Sequence, residues 1–386
     1  MTSHNSDFLI IGAGIFGLTI ANAILETGAT VKIIEAQHVG AGASGGILGA
    51  LMPHMPNNWN PKKQFQFEAL RDLSDFVATL EKETGLATGY RRVGRIMPVV
   101  KNGFLKQMQT YAKHAQVNWG SSYDFKLEEM DFFDSWLQSS AENPLLGLLY
   151  DTLSARIHPK SYLEALKRKF MSKGGELIVN ALVTDIDPNQ NFIMLENGEK
   201  IGAEKIILTA GVQSFRFLEM LHMPDLGGGV FGQAIKLSSQ NDCSKFPIIY
   251  DNGCYIIAHD DGTISIGSSS VNIANGDIDP KKDRLLKQDD EKQASLLQQA
   301  KCLCPSLESA EIISSWSGVR PKAWARDPLL GYHPNYDNLY VATGGFKIAF
   351  GIAHKVADYV VHDLGLALRN ETIIPDSFLM NHHLNP

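Results

Sequence analysis

Three glycines and one acid give the clearest chemical signal in this sequence. Gly12, Gly14 and Gly17 form a G-x-G-x-x-G pattern that directly follows the apolar run Phe8–Ile11. In such a pattern the first glycine permits a tight turn, the second leaves room for a pyrophosphate, and the third lets the helix pack closely on the strand. Glu35 follows Gly17 by 18 residues, where a carboxylate accepts hydrogen bonds from a ribose and disfavours a 2′-phosphate. The pattern predicts a bound dinucleotide without that phosphate.

Three later segments favour FAD over NAD as this dinucleotide. Residues 40–46 form a loop of small residues, including Ser44, that can wrap the rest of an extended cofactor. Residues 206–211 form a second apolar run that ends in Ala-Gly, and residues 338–345 run into another glycine turn. The helix predicted over residues 349–364 would direct its N-terminal dipole at a flavin carbonyl. Since the chain has one complete fingerprint, we expect no separate NAD(P)H site and reoxidation by O2 or an acceptor protein.

The alternation of strands and helices around these motifs predicts the elements that position them. An apolar strand, a helix and a second strand, residues 30–34, are typical of a doubly wound α/β fold. We predict an α/β fold (α+β overall): a Rossmann-like FAD-binding domain with an inserted antiparallel-sheet substrate domain. The insertion contains strands between residues 246 and 268 and a helix over residues 285–304. The predicted FAD-binding domain comprises residues 1–89, 151–229 and 318–386, and the predicted substrate domain comprises residues 90–150 and 230–317.

Composition excludes several other classes of protein. The 386 residues carry a formal net charge of −7, with 44% hydrophobic and 20% charged residues and a pI near 5.9. This is ordinary globular composition without the basic excess of a DNA-binding protein. Four cysteines do not make a disulfide framework in a chain of this length. The apolar stretch 8–25 contains the glycine pattern, so we interpret it as a buried strand and helix, not a membrane span, and expect a cytoplasmic protein.

Several motifs resemble those of the D-amino-acid-oxidase superfamily of FAD enzymes. They are Tyr250-Asp251-Asn252-Gly253-Cys254-Tyr255-Ile256-Ile257, Gly318-Val319-Arg320-Pro321 and Asp327-Pro328-Leu329-Leu330-Gly331-Tyr332-His333-Pro334. Within that superfamily the chain is similar to glycine oxidases. Residues 42–45 and 49–53 look more like the oxidase domain of the bifunctional enzyme that forms a methylaminomethyl group on the wobble uridine of tRNA.

The resemblance implies a set of FAD-binding residues in this chain. Relatives that bind the flavin covalently do so through a cysteine shortly after the substrate arginine. No cysteine follows Cys304 here, so we predict non-covalent FAD. The implied cofactor-binding residues are Gly12, Ala13, Gly14, Gly17, Glu35, Ala43, Ser44, Leu48, Gly49, Ala50, Val183, Ala210, Gly211, Gly344, Gly345, Phe346, Lys347, Ile348 and Gly351.

The resemblance also implies an amine-oxidising site. Arg320 and Tyr255 match the positions that hold a substrate carboxylate. Lys347 replaces an arginine of glycine oxidases, cannot form the bidentate fork of that arginine, and could favour the reaction with oxygen. His54 follows the flavin loop and is a candidate for lining the pocket. The predicted reaction is hydride transfer from a small primary or secondary amine or amino acid to flavin N5, imine hydrolysis, and reoxidation by O2 to give H2O2.

Other interpretations remain open at this stage. The same arginine could act on a carboxymethylaminomethyl group of tRNA, and basic clusters occur at residues 62–63, 91–92 and 167–169. The last cluster lies on a predicted amphipathic helix, where charges are usually a solvated face. Arg320 could instead form an ordinary surface ion pair with Asp327. A flavoprotein without turnover, acting as an interaction partner, is a third possibility.

Overall fold

The structure, a computed structural model, describes residues 6–129, 136–138, 144–239, 242–273, 289–366 and 372–385. The helices in these residues are α1 (Ile15–Leu25), α2 (Pro61–Thr84), α3 (Asn102–Asn118), α4 (Pro159–Ser172), α5 (Gln213–Met220), α6 (Asp290–Leu303), α7 (Ala349–Asp363) and α8 (Met380–Leu384). The strands are β1 (Phe8–Ile11), β2 (Val31–Ile34), β3 (Ala50–Leu51), β4 (Arg95–Val99), β5 (Phe125–Glu128), β6 (Gly147–Asp151), β7 (Ala155–Arg156), β8 (Glu176–Ile178), β9 (Val183–Asp187), β10 (Phe192–Leu195), β11 (Lys200–Gly202), β12 (Lys205–Leu208), β13 (Gly227–Ser238), β14 (Ile248–Asp251), β15 (Cys254–Ala258), β16 (Thr263–Gly267), β17 (Val271–Ile273), β18 (Ile312–Ala323), β19 (Leu329–His333) and β20 (Tyr336–Thr343).

A six-stranded sheet forms the centre of the nucleotide-binding part. Its strand order is β19-β20-β12-β1-β2-β8, and all neighbours are parallel except the edge pair β19–β20. Along β1, Phe8 and Ile10 face one hydrophobic core while Leu9 and Ile11 face a second core. Because both faces are covered, the strand is continuously apolar, as parallel strands usually are.

Helices cover the two faces of this sheet. On one face α1 packs against α4 and α7, and α2 packs against α4 and α7 in turn. On the other face α5 and the three-stranded antiparallel sheet β11-β10-β9 close the second core. This arrangement confirms the predicted α/β class with its Rossmann-like part. Within the described residues, no helix combines the length and apolar character needed to cross a bilayer.

A nine-stranded sheet is formed by strands from both predicted insertions. Its order is β17-β13-β16-β15-β14-β4-β6-β5, and β18 pairs with β13. The pairs are antiparallel except β14–β4, which is parallel. The predicted antiparallel sheet is therefore present, with one parallel pair that joins its two parts. Strand β13 continues across residue 230 and β18 continues across residue 318, the two predicted boundaries between the domains. The division into two domains at those residues stays a prediction.

The chain changes sheets between β8 and β9. Strand β8 ends at Ile178, and Val183 begins β9 in another sheet. Asn180 adopts a left-handed φ of 54° and its N–H donates to the carbonyl oxygen of Gln37, which turns the chain between the two strands. The helix expected over residues 285–304 begins at Asp290, and its first predicted residues lie outside the described ranges.

Candidate active site

A cavity of about 1040 Å³ lies between the two large sheets. Its lining includes the residues at the carboxyl ends of β1, β2, β12 and β20, which is the edge at which open α/β sheets bind ligands. The same cavity is lined by residues of β15 and β18 from the nine-stranded sheet. The glycine turn after β1 and the polar side chains of β15 and β18, Tyr255 and Arg320, thus line the same cavity.

The turn between β1 and α1 forms a cradle for a dinucleotide. Gly12 has a φ of 105°, and a Cβ there would lie 2.7 Å from the carbonyl oxygen of Thr209, so glycine is required on both counts. No side chain caps α1 at Gly14, which leaves N–H groups at the start of the helix directed at the cavity. The N–H of Ile15 donates to Ser44 Oγ at 3.0 Å. Free N–H groups and the helix dipole at this point suit a pyrophosphate.

Glu35 lies directly after β2 with its carboxylate in the cavity wall. Its Oε2 accepts a hydrogen bond from the N–H of Ala13 at 2.8 Å, and its Oε1 accepts one from the N–H of Gln37 at 3.0 Å. Burial raises the pKa of Glu35, and the two N–H donors act in the opposite direction. The backbone therefore holds the carboxylate in one orientation, from which its remaining lone pairs can accept from ribose hydroxyls.

Most of the predicted cofactor-binding residues line this cavity, and three do not. Gly17 is a packing residue, because a Cβ there would lie 2.0 Å from the carbonyl oxygen of Gly12. Gly351 lies in α7 against α2, where a Cβ would be 2.9 Å from Leu70 Cδ2. Ala13 contributes its N–H to Glu35. The predicted residues in the lining are Gly12, Gly14, Glu35, Ala43, Ser44, Leu48, Gly49, Ala50, Val183, Ala210, Gly211, Gly344, Gly345, Phe346, Lys347 and Ile348.

Arg320 is the central cation among the polar side chains of β15 and β18. Its side chain lies in β18 and the residue is only 8% exposed. Gly232 on the neighbouring strand makes room for it, since a Cβ there would lie 2.0 Å from Nη1. Nη1 is 3.5 Å from the carbonyl oxygen of Ser269. Among the described residues no carboxylate forms a salt bridge with Arg320, and burial lowers its pKa. Asp327 pairs with Lys62 instead, so the surface ion pair considered above is not observed.

Tyr255 lies in β15 beside this guanidinium. Burial, reinforced by the neighbouring Tyr250, raises the pKa of Tyr255 to about 12. The two tyrosine rings are 4.9 Å apart between centroids and both line the cavity. At neutral pH the Tyr255 hydroxyl is therefore protonated and can donate a hydrogen bond to an anion bound at Arg320.

Lys347 enters the cavity from the loop between β20 and α7. Its Nζ lies 5.8 Å from the centroid of the Tyr255 ring. Burial and the charge of Arg320 lower its pKa. Three residues from separate elements, Arg320, Tyr255 and Lys347, are thus brought to one side of the cavity. The result is a polar, positively charged cluster.

His54 also lines the cavity, and a residue that sequence reasoning missed holds its backbone. The N–H of His54 donates to Gln66 Oε1 at 2.8 Å, while Gln66 Nε2 donates to the carbonyl oxygen of Met52 at 3.1 Å. Burial lowers the pKa of His54 to about 4, so its ring is neutral at physiological pH. Nothing in the local pattern of α2 marks Gln66, because its partners are backbone atoms of a distant loop.

A buried ion pair was also missed. Arg95 Nε lies 2.7 Å from Asp151 Oδ2, with the two residues 3% and 0% exposed. Arg95 contributes to the cavity wall, and its Nη1 is 3.5 Å from the carbonyl oxygen of Pro53. A charged residue at the start of the otherwise apolar strand β4 was the available signal. Its partner could not be identified, because 56 residues separate the two along the chain.

The basic clusters contribute side chains to internal contacts. Lys62 is engaged in the ion pair described above. Arg92 donates from Nη1 to the carbonyl oxygen of Leu153 at 2.8 Å. Lys169 is 7% exposed and forms salt bridges of 2.7 and 2.8 Å with Glu26 and Glu83. The expectation of a fully solvated face is therefore wrong at Lys169, which joins three helical segments of the fold.

Comparison with known proteins identifies a family and several relatives for this chain. The family model described as DAO, FAD dependent oxidoreductase, matches residues 7–359. The chain is 24% identical over 364 residues to glycine oxidase of Geobacillus kaustophilus (strain HTA426), covering 89% of each protein.

Two solved structures share the fold. The crystal structure of glycine oxidase from Geobacillus kaustophilus superposes with a TM-score of 0.84 at 20% identity, covering 98% of this chain and 99% of that one. The crystal structure of iminodiacetate oxidase from Chelativorans sp. BNC1 superposes with a TM-score of 0.82 at 20% identity, covering 96% and 98%. With the family match over nearly its whole length, this chain belongs to the DAO family of FAD-dependent oxidoreductases.

Proposed function

We propose that the protein oxidises the C–N bond of a small primary or secondary amine that carries a carboxylate. The observation that carries this proposal is the buried Arg320, a cation without a carboxylate partner among the described residues, in the same cavity as the FAD cradle. An unpaired buried charge is costly, so the site is arranged for an anionic ligand. The names of the similar proteins, glycine oxidase and iminodiacetate oxidase, are consistent with an amine of this kind.

The residues divide the work of binding and orientation. Arg320 can hold the carboxylate through two parallel N–H···O bonds, and Tyr255 adds a neutral O–H donor. With the carboxylate held, the α-carbon has a fixed position in the same cavity as the dinucleotide cradle. Fixed positioning of the reacting carbon is the main requirement for hydride transfer. The ring of His54, which also lines the cavity, is neutral at physiological pH and adds no positive charge there.

The overall chemistry balances with water and oxygen as co-reactants. Bound FAD, which the glycine turn and Glu35 would hold, would supply a two-electron acceptor for the hydride of the α-carbon, with O2 as the final oxidant and H2O2 as its product. The substrate nitrogen loses one proton, and water hydrolyses the resulting imine to an amine and a carbonyl compound. This chain binds the carboxylate and orients the amine. None of its residues is required to act as a strong base, because the neutral amine is the reacting form.

Anaerobic reduction of the bound flavin tests the proposal. The purified holoenzyme is mixed with glycine, sarcosine, D-alanine, D-proline, L-amino acids, iminodiacetate, or a carboxymethylaminomethyluridine nucleoside or tRNA, and the flavin absorbance is followed. Rapid bleaching by a small amine is expected. Losing the buried cation that binds the carboxylate costs about 2–5 kcal/mol, so Arg320→Met should reduce the apparent affinity at least about 30-fold.

A control and two contrary outcomes make this test decisive. Lys322→Met removes a lysine two positions along the same strand, outside the lining of the large cavity, and should react as the wild type does. Bleaching by the carboxymethylaminomethyluridine nucleoside or tRNA alone would contradict a small-amine substrate and identify the modified uridine of tRNA as the substrate. A flavin that dithionite reduces and no amine reduces would overturn the proposal and favour a non-catalytic flavoprotein.

A further inference from the structure

The cavity holds two cations on the same side, Arg320 and Lys347, and a single carboxylate would neutralise only one of their two positive charges. Arg320 is buried, and Lys347 projects into the cavity with its Nζ 5.8 Å from the ring of Tyr255, which lies beside Arg320. Neither cation has a carboxylate among the described residues that raises its pKa. Like charges held together in a partly desolvated site repel each other, so binding of anionic groups at both relieves an unfavourable interaction.

The acids that line the cavity do not neutralise this pair. Both oxygens of Glu35 are held by backbone N–H groups at the dinucleotide cradle. Asp251 accepts a hydrogen bond from Asn252 Nδ2 at 2.9 Å, and neither cation lowers its pKa. The positive charge at Arg320 and Lys347 is therefore available to a ligand.

The side chains of the two cations differ in a way that suits two different carboxylates. The planar guanidinium of Arg320 is buried and packs directly against the backbone of Gly232. This packing fixes the direction in which the guanidinium can make a bidentate contact. Lys347 is the more exposed of the two cations, and its ammonium group, at the end of a flexible stem, can donate to a carboxylate in several directions. A fixed site beside an adaptable one is suited to a substrate whose second carboxylate lies on a rotatable arm.

We propose that the substrate is a secondary amine with two carboxylates, one bound by Arg320 and the other by Lys347, as in iminodiacetate. This inference rests on the proposed function, because it names the substrate class of the same site. Lys347 then determines specificity. Its charge selects N-carboxyalkyl amino acids over simple amino acids of similar size.

Binding of acids that cannot be oxidised as amines tests the inference independently of turnover. Oxydiacetate replaces the nitrogen of iminodiacetate by oxygen, and methoxyacetate carries a single carboxylate. Perturbation of the flavin absorbance in the holoenzyme reports the affinity of each. Since a charge-assisted contact is lost with one carboxylate, oxydiacetate should bind about 10-fold more tightly or better. Lys347→Met should bring the affinity ratio close to one, while Lys322→Met should leave it unchanged and Lys347→Arg should retain most of it.

The outcomes separate this inference from the proposed function. Equal affinity for the two acids, or a ratio that survives Lys347→Met, overturns the two-carboxylate inference even where glycine or sarcosine still bleaches the flavin. A ratio that collapses as expected while no amine bleaches the flavin supports the anion site and contradicts amine oxidation. A Lys347→Met variant that changes only the rate of reoxidation by O2 assigns the charge to the oxygen reaction and also overturns the inference.

Discussion

Gly17 offers the sharpest test of how the cradle is built. In Gly17→Ala the added Cβ would lie 2.0 Å from the carbonyl oxygen of Gly12 and 2.7 Å from Thr209 Oγ1, against ordinary contacts of 3.4–4 Å. Gly12 is not free to move, because its carbonyl oxygen accepts a hydrogen bond from Thr209 Oγ1 and its N–H donates to the carbonyl oxygen of Ile34 at 2.8 Å. A displacement of about 1.4 Å is therefore required between α1 and the end of β1.

The expected effect of this substitution is large in both stability and cofactor binding. Overpacking a closely packed site costs about 1–3 kcal/mol and sometimes more, and the overlap with backbone puts Gly17→Ala at the top of that range. Because the same turn forms the pyrophosphate cradle, we expect the FAD affinity to fall at least about 10-fold, in line with a loss of ~1.4 kcal/mol or more. Urea unfolding of the apoprotein and the flavin-to-protein absorbance ratio measure the two effects.

Gly103→Ala is the matched control for this experiment. Gly103 also lies in a helix, α3, and a Cβ there has no atom within 4 Å. Alanine at that position should leave FAD content unchanged and stabilise the protein by at most ~1 kcal/mol. A Gly17→Ala protein that retains stoichiometric FAD and unfolds at the same urea concentration as the wild type would refute the packing argument.

Three further predictions concern the rest of the molecule. Arg95→Met leaves Asp151 buried and unpaired, and it should lower the free energy of unfolding, measured in urea, by about 3–5 kcal/mol. The double variant Arg95→Met/Asp151→Leu should recover most of that lost stability. Burial lowers the pKa of His354 to about 3 and that of His259 to about 4. Below pH ~6.5 the unfolded chain binds protons that the folded chain does not, so the unfolding free energy should fall as the pH falls from about 6.5 to 4. Acid precipitation should release the FAD into the supernatant.

Each of these predictions has a contrary result. Equal destabilisation of the single and double variants would show that the ion pair does not act as a unit. An unfolding free energy that is flat between pH 7 and 5, or a slope that is the same in His354→Leu, would contradict the contribution of that histidine. Flavin that stays with the precipitated protein would contradict non-covalent binding.

The nucleotide-binding part could be predicted because its signals are local. The strand Phe8–Ile11 has the predicted bounds, and the predicted second strand and the helix predicted over residues 349–364 agree with the structure to within a few residues. A strand buried on both faces must be apolar throughout, and a turn at a φ of 105° requires glycine at residue 12. Requirements of this kind depend only on residues that are neighbours in the sequence. The change of sheet between β8 and β9 has no such local signal, because the turn at Asn180 is held by a hydrogen bond to the carbonyl oxygen of the distant residue Gln37.

The sequence by itself determined the α/β class and the glycine turn with Glu35 that marks a dinucleotide site, since these signals lie in short stretches of the chain. The other cofactor-binding residues were implied by the family resemblance. Only the tertiary structure decided which side chains share the cavity. Arg320 and Tyr255 lie on strands of the nine-stranded sheet, and Lys347 follows β20 of the six-stranded sheet. Gly232 supplies the space for the guanidinium. The lack of a carboxylate beside Arg320 among the described residues also became visible only in three dimensions. Pairing between distant strands and the desolvation of a charge both depend on long-range packing, which no local pattern records.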